Sequence, residues 1–464
     1  MSCLASGRRS AHNGGGVIIK NRAELATTPA RAQALDIIEA GIARVLPENV
    51  MLSALSYDGR QRSLAVNGQT FDVAGRIFVI GGGKASAAMA RTLEEIIGPD
   101  AITAGLVTTK YGDAGPFPRK VAVVPAAHPV PDQSGVDAVS RMLDLKAAYS
   151  IGGADVVVCL LSGGGSALLP APADGISLAD KQRVTELLVA SGADIREINI
   201  VRKHLSKTKG GRLGRFFAPA TVISLVLSDV IGDDLSVIAS GPTYPDASTF
   251  ADALAVLRKH GLAGEVPAPV MARLESGAHG RLDETPRTLG NCHNFIIGNN
   301  ALALRAMAER AAALGRRPII VTAAQQGDTA AAARLRAGEI ISGKYAGRDL
   351  ILLGGETTPT LPPHAGRGGR NQHYAAVWLL AMGEHLDGWV VASVGTDGSD
   401  FLPDVAGAIV DRGTLERLGR AGVDIQSYTD RFDTFHLLEI AGGALIRTGS
   451  TGTNVGDVIV YVVG

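Results

Sequence analysis

From residue 75 onward the hydrophobic positions fall in short unbroken blocks rather than alternating with polar ones. The blocks are GRIFVIGG (75–82), AGLVTTK (104–110), VAVVPAA (121–127), DVVVCLLSGG (155–164), TVISLVLSD (221–229), FIIGN (295–299), RPIIVTA (317–323), DLILLGGE (349–356), WVVASVGTDG (389–398) and DVIVYVV (457–463). Continuous apolar runs of this length predict parallel strands buried on both faces. Segments with helical spacing separate many of them, such as SLADKQRVTELLVASG (177–192) and NALALRAMAERAAALG (300–315). Residues 22–58 also carry helical spacing and predict one or two leading helices. The expectation is an α/β fold with helices covering mostly parallel sheets.

Segment 264–290 has three prolines, reads poorly as strand and lies between two strand-and-helix regions. It is expected to connect an N-terminal Rossmann-like unit (21–263) to a C-terminal α/β unit (291–464). The first 20 residues, rich in Ser, Arg and Gly, are expected to form a disordered extension outside the fold.

Composition narrows the function. Lys+Arg and Asp+Glu both number 45, which removes the strong basic field of a general nucleic-acid binder. Cys3, Cys159 and Cys292 are too far apart in sequence for a metal knuckle and suit reduced thiols in a cytoplasmic setting. No apolar run reaches membrane-spanning length. Aromatic residues make up only 4%, against base or sugar stacking, while 58 glycines suit tight strand-to-helix turns. Association into an assembly of like chains stays open.

Ligands of open α/β sheets bind beyond the carboxyl ends of the strands, so the polar residues there are the candidates. VIGGGKASAAMA (79–90) reads as strand, glycine turn and helix start, with Gly82, Gly83 and Lys84 in the turn. Its spacing misses both the dinucleotide fingerprint and the Walker A loop. It suits either an anion held by backbone N–H groups or glycines that let helix and sheet pack closely. A second such loop holds Ser162, Gly163, Gly164, Gly165 and Ser166. The stretch from Arg202 to Arg215 is basic and includes Lys207, either as a solvated face or as counter-charge to Asp229 at the next strand end. Later loops present Glu356, then Arg370 and Asn371, then Asp397, then Thr453 and Asn454. Cations beside strand-end carboxylates suit phosphoryl transfer to a small acid, the carboxylates positioning Mg²⁺ or a hydroxyl.

These motifs together resemble the glycerate 2-kinases, the glycerate kinase family whose C-terminal part is the MOFRL domain and some of whose members carry the older label of hydroxypyruvate reductase. The resemblance rests on GGGKAS (81–86), TTKYG (108–112), HPVPD (128–132), LSGGGSALL (161–169), RKHLSKTKGGRL (202–213), SDVIGDD (228–234), IASGPT (238–243), GGETT (354–358), GRGGRNQ (366–372), GTDGSD (395–400) and TGSTGTN (448–454). The chain departs from many relatives at Gly327-Asp328, where they have Gly-Glu, and over SDFLPDVAGA (399–408).

The resemblance implies two α/β domains with the active site in the cleft between them. It implies ATP and Mg²⁺ as partners and D-glycerate as the acceptor, phosphorylated at its 2-hydroxyl. Lys84, Arg370 and Asp397 take functional roles by this likeness. Asp229 joins them as a candidate: either Asp229 or Asp397 is expected to orient or deprotonate the hydroxyl, and either to be a ligand of Mg²⁺. Lys84 and Arg370 are expected to hold the substrate carboxylate, helped by N–H groups of the 81–83 and 163–165 loops. Two other readings remain at this point: an NAD(P)H-dependent hydroxypyruvate reductase and a non-catalytic small-molecule binder.

Overall fold

A computed structural model describes residues 17–113, 115–383, 385, 388–402 and 404–463. Three short strands, β1 (Leu55–Asp58), β2 (Ser63–Val66) and β3 (Gln69–Asp72), form a small antiparallel sheet. Its second hairpin turns at Asn67-Gly68, both at positive φ, as a tight two-residue turn requires.

The first large sheet contains β4 (Ile77–Gly82), β5 (Ile102–Lys110), β6 (Ala122–Ala126), β7 (Val156–Leu161), β8 (Thr221–Leu227) and β9 (Cys292–Gly298). Its order is β6-β5-β4-β7-β8-β9, and every neighbouring pair is parallel. Strands β4, β7 and β8 are buried along nearly their whole length, which accounts for their unbroken apolar sequence. The order reverses direction between β4 and β7. That is the switch point at which doubly wound sheets bind ligands.

The second large sheet contains β10 (Pro318–Gln325), β11 (Leu350–Gly355), β12 (Val390–Gly395), β13 (Gly407–Asp411), β14 (Leu445–Ile446) and β15 (Asp457–Val462). Its order is β10-β11-β15-β12-β13-β14. Only β10 and β11 are parallel, so the expected mostly parallel second sheet is corrected to a mostly antiparallel one. Two of the four antiparallel pairings come from β15, the last strand, which inserts between β11 and β12 and runs against both, and the other two are β12 with β13 and β13 with β14. The first residue of β15, Asp457, pairs with Gly355 on one side and Gly395 on the other. The loop before β15 therefore lies at the same edge as the loops after β11 and β12.

The chain divides between the sheets differently from the expected 21–263 and 291–464. Strand β9 belongs to the first sheet, although it follows the connecting segment. Helix Pro29–Arg44 belongs to the core of the second sheet, where Leu35, Ile38 and Ile42 share an apolar cluster with Leu304, Met307 and Val460. Contact there is close enough that a Cβ on Gly41 would come within 2.6 Å of Met307 Cγ. Segment 264–290 carries the helix Ala268–Ala278, which packs on helix Phe250–Lys259 through Gly277 against the Phe250 ring. Residues 1–16, with Cys3, lie outside the described residues. The remainder of the expected extension, 17–20, is ordered: Ile19 is fully buried and Lys20 N–H donates to Arg447 O at 2.8 Å. Asp328, the departure noted above, caps helix Thr329–Ile341 by accepting from Ala331 N–H at 2.9 Å.

Candidate active site

The loops after β4 and β7 fold against each other at the switch point. Gly81 and Gly83 hold φ of +147° and +148°, and a Cβ at either would come within 2.0 Å of Leu160 O or 2.2 Å of Ser162 Oγ. Glycine is required here for close approach. Gly83 N–H donates to Thr108 O at 3.2 Å, Lys84 N–H to Gly163 O at 2.8 Å and Gly165 N–H to Ser162 O at 3.2 Å. Ser162 Oγ accepts from Ala85 N–H at 3.0 Å. The amides of Gly83, Lys84, Ala85 and Gly165 are thus occupied within the protein, and they brace a rigid turn that aims the Lys84 side chain. Gly82 is likewise hemmed in, a Cβ there falling 2.3 Å from Thr108 Oγ1.

Lys84 Nζ reaches Asp397, in the loop after β12, and donates to its Oδ2 at 2.7 Å. The other oxygen of Asp397 accepts from Ser399 N–H at 2.9 Å. Burial pulls the Asp397 carboxyl upward, but the Lys84 charge and hydrogen bond leave it below the ordinary aspartate value. Asp229, just past the end of β8, lies close enough to feel both groups. Burial pushes its carboxyl above the ordinary value, against the opposing pull of Lys84. Asn454, from the loop before β15, donates to Asp229 Oδ2 at 2.7 Å. Gly163 lies directly against that hydrogen bond, a Cβ here falling 2.0 Å from Asp229 Oδ2 and 2.1 Å from Asn454 Nδ2.

Arg370 opens helix Arg370–Met382 and is committed to carboxylates. Its Nε and Nη2 donate to the two oxygens of Asp457 at 2.6 and 2.9 Å, and its Nη1 lies 2.8 Å from Glu356. Despite burial, Asp457 and Glu356 hold its guanidinium more firmly protonated than usual. Asn371 bridges the same group, donating to Asp457 at 3.0 Å and accepting from Ser393 Oγ at 2.6 Å. Asp400 caps the helix through the N–H groups of Asn371 and Gln372, at 3.0 and 2.9 Å.

Most of the residues singled out in the sequence thus stand in two linked groups: Lys84, Ser162, Gly163, Asp229, Asp397 and Asn454, and then Arg370, Asn371 and Glu356. Ser166 sits farther along its loop, with its hydroxyl 2.9 Å from that of Ser240. Thr453 serves the fold by donating to Val45 O at 2.6 Å. Lys207 is not brought to the site and forms an exposed ion pair with Asp174 at 2.6 Å. Sequence reasoning missed Asp457 and Asp400 as partners of Arg370 and Asn371. The available signal was an acid opening the last apolar strand and a second acid in GTDGSD.

Mg²⁺ bound with nucleotide phosphates needs only one or two protein carboxylates. Asp229 and Asp397 offer hard oxygen donors of that kind from two strand ends, so the residues present fit such an ion, although no cluster of three or more metal-binding side chains occurs among the described residues. No helix among them is long and apolar enough to cross a membrane.

Residues 33–275 match the family described as "Domain of unknown function (DUF4147)", and residues 349–457 match the MOFRL family. The chain is 38% identical over 447 residues to a glycerate 2-kinase of Pyrococcus horikoshii, covering 93% of this chain and 98% of that one. It is 39% identical over 394 residues to the D-glycerate 2-kinase of Thermotoga maritima, covering 84% and 91%. The crystal structure of glycerate kinase from Thermotoga maritima superposes with a TM-score of 0.80 at 36% identity, covering 93% of this chain and 99% of that one. A shared fold, near-complete coverage and the matching C-terminal unit place the chain in the glycerate 2-kinase family, with a MOFRL domain in its second half.

Proposed function

We propose that this chain transfers the γ-phosphoryl group of ATP to the 2-hydroxyl of D-glycerate, giving 2-phosphoglycerate and ADP. The observation that carries the chemistry is the Lys84–Asp397 pair beside Asp229, three charged groups from the ends of β4, β12 and β8. The reaction takes place in a cleft between the two sheet units, lined by the loops after β4, β7, β8, β11 and β12. Phosphoryl transfer demands alignment and charge neutralisation more than covalent help from the protein.

Lys84 offsets the charge that builds on the transferred group, and Asp397 fixes the Lys84 ammonium in place. Asp229, with one oxygen anchored by Asn454, orients the 2-hydroxyl and receives its proton. Its raised carboxyl is better matched to that task than the lowered one of Asp397. Asp397, with Asp229 nearby, would hold Mg²⁺. When bound, the ion supplies further neutralisation of the phosphate oxygens. Arg370 acts through its ion pairs with Asp457 and Glu356, which hold the edge of the second sheet in shape for the site.

The reductase alternative lacks support: the β4 turn carries no dinucleotide fingerprint, and the Gly83 and Lys84 amides that would face a pyrophosphate there are bonded internally. ADP release that depends on D-glycerate, followed in a coupled assay with purified protein and Mg-ATP, tests the proposal. Release at the rate of an ATP-only control would refute it.

A further inference from the structure

The mechanism above leaves a second set of cations unused. A cavity of about 270 Å³ opens beside the loop after β7, between the 128–131 segment, Gly164, Ser166 and helix Leu178–Ala190. Lys181, Lys209 and Arg202 line it. Lys181 is 8% exposed and Lys209 2% exposed. Lys181 Nζ is buried with no hydrogen-bond partner. Lys209 Nζ donates to Ser166 O at 2.8 Å, and Arg202 Nε makes one long bond, 3.4 Å, to Thr185 Oγ1.

Among the described residues the two other nearly fully buried Lys and Arg side chains each have an acid: Lys203 has Asp246 at 3.0 Å and Arg31 has Asp411 at 3.1 Å. Among the described residues no carboxylate pairs with Lys181, Lys209 or Arg202. The acid on the cavity wall, Glu186, is exposed and faces Arg183 at 3.9 Å. Burial lowers all three basic groups, and like charge from Arg202 lowers the two lysines further. Burying cations together without a counter-charge is costly, so the arrangement fits an anion that arrives from outside.

The cavity adjoins the active site. Gly164 lines it, and a Cβ at Gly164 would lie 2.9 Å from His128 Cδ2 and 3.4 Å from Lys84 Cγ. One backbone residue therefore separates the cavity from the stem of Lys84. By contrast, Lys84 and Arg370, the groups first expected to hold the substrate carboxylate, already have acids of their own.

We infer that Lys181, Lys209 and Arg202 form the subsite for the carboxylate of the acceptor acid, which presents its hydroxyl past Gly164 toward Lys84 and Asp229. The inference rests on the kinase reading for the identity of that acid. An oxyanion of the nucleotide would satisfy the same chemistry, and the test separates the two.

The test compares the full-length wild type with Lys181→Met and Lys209→Met, measuring KM for D-glycerate, KM for ATP, kcat and Tm. The expected result is a rise of tenfold or more in KM for D-glycerate, with KM for ATP and kcat within about threefold and Tm unchanged or higher in Lys181→Met. A structural role alone would lower Tm without this selective change in KM. A rise confined to KM for ATP would overturn the assignment in favour of a nucleotide phosphate site. Unchanged constants with a folded variant would overturn the subsite altogether. If the wild type does not phosphorylate D-glycerate, the kinase reading fails, and calorimetry reads the subsite separately. Binding of D-glycerate to wild type that Lys181→Met abolishes would then support it, and no binding to wild type would overturn it.

Discussion

Lys84 and Asp397, 313 residues apart in sequence, meet at 2.7 Å and join the two large sheets by an ion pair in which both side chains are mostly buried. The pair puts a cation and a carboxylate next to Asp229. Lys84→Ala removes the charge that faces the transferred group and leaves Asp397 buried without its partner. The expected loss in kcat/KM is about 100-fold or more, of the order seen for a single electrostatic contact to a transition state. Asp397→Asn is expected to lose a similar amount. Because the two act as one unit, the double variant should be little worse than either single one. Steady-state kinetics on all three check this, and a Lys84→Ala enzyme within about threefold of wild type would refute it.

Gly163 lies against the Asp229–Asn454 hydrogen bond. In Gly163→Ala the new methyl meets both groups at 2.0–2.1 Å, so the loop or Asp229 must move. Activity is expected to fall at least tenfold, since a displacement of about 1 Å at a reacting group is costly. Gly338→Ala is the control. Gly338 lies within helix Thr329–Ile341, and a Cβ there meets nothing within 4 Å. That variant should keep full activity and gain up to about 1 kcal/mol of stability from improved helix propensity. Parallel activity assays and thermal melts separate the two.

Arg370→Lys keeps the charge and loses the fork. The guanidinium donates to both oxygens of Asp457 and reaches Glu356 with a third nitrogen, which one ammonium cannot reproduce. Asp457 is 4% exposed and would be left under-bonded. The variant is expected to lose about 1–3 kcal/mol of stability, the usual cost of an unsatisfied buried polar group. A shift of the urea midpoint to lower concentration measures it.

The buried Lys181 gives a pH dependence of stability with a definite sign. Burial, then the charge of Arg202, lowers its ammonium from an ordinary 10.5 to about 7. Between those values the unfolded chain holds a proton that the folded chain has lost, so this group makes stability rise with pH. Below about 7 both states are charged and the penalty is at its full size. Facing it are Arg202 and Lys209, with His128 and the exposed Glu186 on the other walls. Lys181→Met should therefore exceed wild type in Tm most at or below pH 7, in chloride buffers free of phosphate and sulfate. The difference should fade as pH approaches 10. A constant difference across that range would contradict the assignment.

The first sheet was legible in the sequence because its strands are buried on both faces, and GGGKAS and LSGGGS follow two of them directly. The second sheet was harder to read. An apolar run such as DVIVYVV gives the strand but not its direction, and β15 runs antiparallel between β11 and β12. That reversal brings Asp457 to Arg370 and Asn454 to Asp229, partnerships that only chain direction reveals. Helix Pro29–Arg44 was correctly read as a helix, but nothing local says that it packs beside Met307. Lys207 and Lys209 look alike in the sequence, yet one ends in solvent and the other against Ser166. The hairpin at Asn67-Gly68 carried its own turn signal, but its strands of four residues each fall between the helical segment at 22–58 and the first apolar block at 75 and are too short to stand out.

The most direct measurement is the ³¹P NMR spectrum of the product formed from D-glycerate and Mg-ATP by the purified protein. The account predicts 2-phosphoglycerate in amounts equal to the ADP released. A 3-phosphoglycerate signal, or no glycerate-dependent product alongside NAD(P)H oxidation with hydroxypyruvate, would contradict it.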